Sequence, residues 1–347
     1  MDKRELLRKT GSLQQLASIR TLFFTEGRAQ TRAVEFVNGP LRFTALADKC
    51  LDVAELSYRG VNFSFLSKPG LQGRNQYDTN GDEALRSIMG GLFFTAGFEN
   101  ICAPCAVDGK NYPMHGRIRT TPAEHLCPDA RWEGDDYVLE LSGEMREGEL
   151  FGENLVLRRR LRTVLGEKSF TLTDEIENQS FRDEPLMLLY HINIGYPLLD
   201  EGTKLYLPTR KVTPREELSA PHVDRWNVMD AAKDNEPEYV FIHDPIPDAE
   251  GRMCACVVNE RLSLGLMISW SAKNLPFFME WKSTASGDYV LGLEPANSSV
   301  YGRPWHETRG DLHRLAPFAK ERNELRFTVL DGREEIDAAV SAVRTLG

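Results

Sequence analysis

The sequence predicts an all-β protein, a single large antiparallel β-sandwich spanning residues 1–347 with a few short peripheral helices. Three observations lead there. From Arg32 onward, apolar residues recur at every second position in short runs divided by turn residues, which is the period of half-buried strands. No regular alternation of strand with helix appears, which sets parallel α/β folds aside. The chain has 347 residues, of which 41% are hydrophobic and 27% charged, enough to close one large core.

Residues 1–28 read as a helical cap, with Leu6, Leu7, Leu13, Leu16 and Ile19 at amphipathic spacing and an interruption near Gly11. The period then changes to two. Val34 and Phe36 alternate with polar neighbours, as do Leu41, Phe43 and Ala45 beyond the turn at 38–40, and this reads as a hairpin. A second hairpin turns at Arg59-Gly60. Residues 67–84 form a long polar loop, and 90–104 mix small and aromatic residues as a pocket wall or a close-packed core would. Strands follow at 137–145, 155–165, 169–178 and 186–194. Arg158, Arg160 and Arg162 fall on one face of their strand, which reads as a solvated face paired to nearby carboxylates such as Glu140, Glu144, Asp174 and Glu177, while Arg159 falls on the other. The proline- and charge-rich stretch 196–250 is a loop-rich excursion. Strands resume at 253–258, 262–270, 276–281, 289–294 and 324–330, and a short helix closes the chain at 334–347.

A formal net charge of -10 argues against nucleic acid, whose phosphates need a basic footprint. No apolar run approaches the roughly 18 residues of a membrane span, and the charged N-terminus lacks the apolar core of a signal peptide, so no membrane partner and a cytoplasmic location are expected. The six cysteines show no paired zinc-ligand spacing and read as reduced thiols, with no metal expected. A Gly-rich phosphate loop, a G-x-S-x-G elbow and an H-E-x-x-H helix are all absent from the sequence.

The stretch 291–297, Leu-Gly-Leu-Glu-Pro-Ala-Asn, sets Glu294 directly before Pro295, where a strand is expected to end. Glu294 is then either a carboxylate held at the rim of a cavity or a strand-end charge in water. His191 and Asn193 lie two apart in an apolar strand, so their side chains emerge on the same face and need partners, as a site or as a satisfied core pair. His115 follows Pro113 at a strand start or tight loop. His125, His222, His243, His306 and His313 lie in polar stretches and read as surface residues.

Three segments in order, Gly90-Gly-Leu with His115-Gly-Arg-Ile-Arg119, Tyr190-His-Ile-Asn-Ile-Gly195 and Leu291-Gly-Leu-Glu-Pro-Ala296, resemble those of the aldose 1-epimerase (galactose mutarotase-like) superfamily, in particular its hexose-6-phosphate epimerase branch and a related group of uncharacterised bacterial proteins. The resemblance covers residues 30–331. It implies a β-supersandwich with a sugar cleft on a concave sheet face and an isomerase that opens and recloses the ring of a free or acidic sugar. Glu294 would be the general base, His191 the general acid and His115 a group that orients the sugar. No cofactor is implied. The matching stretch before the glutamate strand departs from the family's pattern and carries Glu280 and Lys282, which are expected to contact substrate. Arg117, Arg74, Arg119 and Asn193 are further binding candidates, Arg117 alternatively pairing with Asp48 or Glu99. A hexose-phosphate epimerase and a non-catalytic sugar-sensing protein are the alternative functions, and a monomer or homodimer is expected.

Overall fold

The computed structural model describes residues 3–25, 30–73 and 81–346, and within them three antiparallel sheets dominate. An eight-stranded sheet is built on Asp136–Gly148, Asn154–Val164, Ser169–Asn178 and Lys320–Asp331. Leu264–Ser271, Arg252–Asn259 and Lys204–Tyr206 extend it on one side and Glu124–Glu133 on the other. A six-stranded sheet runs in the order Thr209–Pro214, Tyr239–Pro245, Phe277–Ala285, Asp288–Ala296, Met187–Ile194, Phe93–Phe98. Ala17–Phe24, Thr31–Asn38, Leu41–Leu46, Asp52–Tyr58 and Val61–Asn62 make a five-stranded meander.

The main core fills the space between these sheets. Its aromatic spine runs from Phe36 through Phe43 and Phe170 to Phe327, with successive ring centroids 4.2, 4.5 and 4.6 Å apart, and reaches Phe93 of the six-stranded sheet at 5.8 Å. The spine thus joins strands of all three sheets by offset stacking, the arrangement aromatic quadrupoles favour. The period of two decides which side chains join it. Along Met187–Ile194, Leu188, Tyr190, Ile192 and Ile194 enter this core, whereas Met187 and Leu189 belong to a second apolar cluster on the opposite face of the sheet.

Arg159 enters the core too. It is fully buried, bonded to Asp174 at 2.7 and 2.8 Å and to Asp52 at 2.6 Å, and it also donates to Thr95 and to the Cys50 carbonyl. Asp174 accepts a further bond from the Tyr190 hydroxyl at 2.8 Å. Such a network is tolerated because nearly every donor is met, and removing one partner would strand a buried charge at a cost of about 3–5 kcal/mol. Asp174 therefore serves the interior and not the solvated arginine face, on which Arg158 pairs with Glu144 and Glu177 as expected.

Several expectations are corrected. Among the described residues the N-terminal cap is helical only at Lys3–Lys9 and in the short turn Leu13–Gln15; Ala17–Phe24 forms a strand whose partner, Thr31–Asn38, supplies hydrogen bonds that local spacing cannot reveal. The 196–250 stretch contributes strands to both large sheets. His243 and His306, expected at the surface, are buried at 5% and 3% exposure. The terminal helix, Arg333–Leu346, packs Ile336 and Val343 on Cys256, Val258 and Leu330. No helix among the described residues is long and apolar enough to cross a membrane.

Candidate active site

Glu294 does not end its strand. The strand runs on to Ala296, and Pro295 sits level with Phe278 of the neighbouring strand. On the other side the ladder pairs Leu189 with Ala296 and Ile192 with Leu293, and it skips the two levels between them. Those are the levels at which Pro295 has no N–H to donate. The same register brings His191 level with Glu294. The carboxylate therefore stands inside the sheet, on the face away from the main core, beside a histidine of the adjacent strand.

The two side chains touch: His191 Nε2 lies 3.1 Å from Glu294 Oε1. Asn193 settles which imidazole nitrogen holds the fixed proton. Its Nδ2 donates to the carbonyls of His191 at 2.8 Å and Gly91 at 3.3 Å, so its Oδ1, 2.6 Å from His191 Nδ1, is the acceptor. Nδ1 must then carry hydrogen, and Nε2 faces the carboxylate. Burial pushes the Glu294 carboxyl up to about 8, against a smaller opposing pull from the Arg215 cation. Burial likewise lowers His191 to about 4, although its bond to Asn193 works the other way. Between those limits the pair holds one mobile proton, and desolvation favours the uncharged arrangement of carboxylic acid and neutral imidazole.

The surroundings hold this pair still. Phe94 stacks on His191 with centroids 4.5 Å apart, while Trp281 and His115 meet it edge-on at 5.4 Å. Trp281 is anchored by its indole N–H to Glu238 at 2.8 Å. At Gly292 a Cβ would come within 3.0 Å of Trp281 Cβ and 3.3 Å of Glu294 Oε1, so the missing side chain makes room for the carboxylate. His115 has a left-handed φ of 57°, and a Cβ on the following Gly116 would lie 1.9 Å from the Gly97 carbonyl oxygen, so only glycine fits that turn. The Cys102 N–H donates to His115 Nδ1 at 3.3 Å. His115 is held well below the ordinary imidazole range, first by burial and then by His191 and Arg119, and as a neutral ring it offers an Nε2–H donor.

The other sequence candidates separate from this site. Glu280 and Lys282 are corrected: Met279, not Glu280, is level with Glu294, so alternation turns Glu280 and Lys282 to the opposite face with Phe278. Glu280 bonds the buried His243 at 3.1 Å, and Lys282 donates to the carbonyls of Val228 at 2.6 Å and Arg225 at 2.8 Å. Arg117 forms an ion pair with Glu99. Asn193 acts on His191 and is engaged through both ends of its amide. Arg74 lies outside the described residues. Trp281, Gly292 and Arg215 were not anticipated, and Phe94 only as part of the 90–104 stretch read as a pocket wall or core; the alternation of Phe277–Ala285 would have placed Trp281 on the Glu294 face had the register been known.

These strands define a protein of the galactose mutarotase-like fold. A Klebsiella pneumoniae structure described as a "putative aldose 1-epimerase" superposes with a TM-score of 0.90 at 22% identity, covering 100% of this chain and 91% of that one. A galactose mutarotase-like protein from Clostridium acetobutylicum gives 0.62 at 12% identity (91% and 99% covered), and a galactose 1-epimerase from Lactobacillus acidophilus gives 0.57 at 13% (91% and 100%). Residues 28–329 match the family described as "Domain of unknown function (DUF4432)", and the chain belongs to that family. No curated protein matches it in sequence.

Proposed function

We propose that this chain is an aldose 1-epimerase-like isomerase that interconverts the anomers of a free or acidic sugar. The observation that carries the reading is the His191–Glu294 contact, in which a proton acceptor and a proton donor lie 3.1 Å apart with the imidazole tautomer fixed from behind. Anomer exchange needs one proton removed from the anomeric hydroxyl and one delivered to the ring oxygen, and those two oxygens share a carbon. A pair that holds one mobile proton meets that demand without net proton uptake.

In the ring-opening direction the charge-separated tautomer acts. The Glu294 carboxylate takes the anomeric proton as base, and the His191 imidazolium protonates the ring oxygen as the C1–O5 bond breaks. The pair is then carboxylic acid and neutral imidazole, the arrangement burial favours. Rotation about C1–C2 presents the other carbonyl face, and reclosure runs both transfers in reverse. His115 orients the sugar through its Nε2–H, and Phe94 and Trp281 wall the ring.

An anionic substituent on the sugar is favoured by Arg119. Its Nε and Nη2 are buried without a hydrogen-bond partner, and it is close enough to His115 to oppose protonation there. The void beside it measures about 10 Å³, the size of a water, so an anion would need side chains such as Phe94 to shift. Anomer-exchange NMR over neutral, uronic and phosphorylated aldoses tests the reading. Accelerated exchange of at least one sugar is expected; binding without exchange across the panel would favour a sensing protein instead.

A further inference from the structure

At one end of the sandwich the apolar interior gives way to a polar cavity of about 160 Å³, distinct in its lining from the His191–Glu294 site. Glu147 reaches it from Asp136–Gly148, level with Leu155 of the next strand, and Glu99 reaches it from just beyond Phe93–Phe98. Both are more than nine-tenths buried, at 5% and 6% exposure. Glu147 Oε1 accepts the Phe98 N–H at 3.3 Å and Glu99 Oε1 pairs with Arg117, but the Oε2 of each has no partner. Two unmet carboxylate oxygens on one cavity are unusual, because buried acceptors are nearly always satisfied.

The rest of the wall says what would satisfy them. Lys110, Arg182 and Arg303 also line the cavity and are held by their own bonds: Lys110 to Glu149 at 3.0 Å, Arg182 to Glu184 at 2.7 Å, and Arg303 to the Glu99 carbonyl at 2.9 Å. An occupant must therefore donate to Glu99 and Glu147 while meeting cationic donors on the other side. A hydroxyl does both, and a molecule that carries several of them can do so on every side at once. Charge points the same way. Each cation already has its own carboxylate, Lys110 with Glu149, Arg117 with Glu99, Arg182 with Glu184 and Arg303 with Glu307, so no anion is called for, and burial, which pushes the Glu147 carboxyl up to about 7, disfavours a charge there. Leu155, Pro185 and the Tyr112 ring supply apolar wall for C–H groups. At about 160 Å³ the cavity is many times the roughly 10–15 Å³ that holds one water by this measure, room enough for one small ring with its hydroxyls.

We infer that this cavity is a second ligand site, for a neutral polyhydroxylated molecule of monosaccharide size, held by hydrogen bonds to the free oxygens of Glu99 and Glu147. The site lies behind the loop that carries His115. Tyr112 lines the cavity three residues before that histidine, and Arg117, two residues after it, pairs with Glu99. The inference does not depend on turnover, so its test is separate from that of the isomerase.

The experiment is a backbone-amide NMR titration of the full chain with methyl α-D-glucopyranoside, whose locked anomeric carbon cannot react, and with myo-inositol. At least one probe is expected to shift the amides of Phe98, Glu147 and Glu184 saturably. In Glu147→Gln, which keeps an acceptor for Phe98 N–H but puts a donor where the free oxygen stood, that affinity should fall roughly tenfold or more. Shifts confined to His191, Asn193 and their neighbours would overturn the inference, as would no shift at all or undiminished affinity in the variant. Should Glu147→Gln fail to fold, a crystal of the parent soaked with the same probe decides. Probe hydroxyls within hydrogen-bond reach of both free oxygens support the site, and ordered waters alone refute it.

Discussion

Replacing Glu294 by Gln should stabilise the fold, and by more as pH rises. Burial holds this carboxyl up to about 8, against an ordinary 4.5, because a carboxylate here would leave water for a wall of aromatic rings. The folded chain therefore keeps a proton that the unfolded chain gives up. Below about 4.5 both states are protonated and the stability associated with the raised value is fully present. It is lost as pH climbs toward 8, at about 1.4 kcal/mol per pH unit. Glutamine is isosteric and does not ionise, so the variant escapes that loss. Between about pH 5 and 7.5 the stability difference between variant and parent should grow by about 3 kcal/mol. Urea unfolding of both proteins at the two pH values measures it. A difference that stays flat would mean that Glu294 is hydrated or charge-compensated when folded, and the reasoning from burial would fail.

Other expectations follow from the same geometry. Activity should peak where the pair holds one proton, falling below about 4 as His191 also protonates and above about 8 as Glu294 loses its proton; a kcat/KM profile checks both limbs. Asn193→Asp should move the acid limb upward, because a carboxylate on Nδ1–H stabilises the imidazolium, whereas Asn193→Leu frees the tautomer and should lower kcat roughly tenfold or more with little change in KM. Gly292→Ala should impair catalysis and cost about 1–3 kcal/mol of stability, since the new Cβ crowds Trp281 and Glu294; thermal melting and exchange rates read the two effects.

The fold class was legible in period-two alternation, and His191 and Asn193 stood out as polar residues on an otherwise apolar strand face, but the partnership of His191 with Glu294 came only from the resemblance of their two segments to the superfamily. What the sequence hid was register. Glu280 and Lys282 looked available because charged residues near a glutamate strand suggest a site, yet one position of alternation sends them to the other face, where His243 meets one oxygen of Glu280 and backbone carbonyls hold Lys282. Ala17–Phe24 looked helical because i, i+3 spacing of leucines continues into it, while its strand partner lies across a turn. Pro295 suggested a strand end, but the sheet tolerates it where the ladder is interrupted. Asn193 was seen as a neighbour of His191; its role in fixing the tautomer needed the Gly91 carbonyl, 102 residues away in sequence.

The most direct test of the central claim is exchange NMR between the α and β anomers of the most responsive sugar of the panel, for the parent and for Glu294→Gln. The account predicts that the variant still binds the sugar while its exchange rate drops roughly a thousandfold, toward the uncatalysed rate. Exchange by the variant at the parent rate would contradict it.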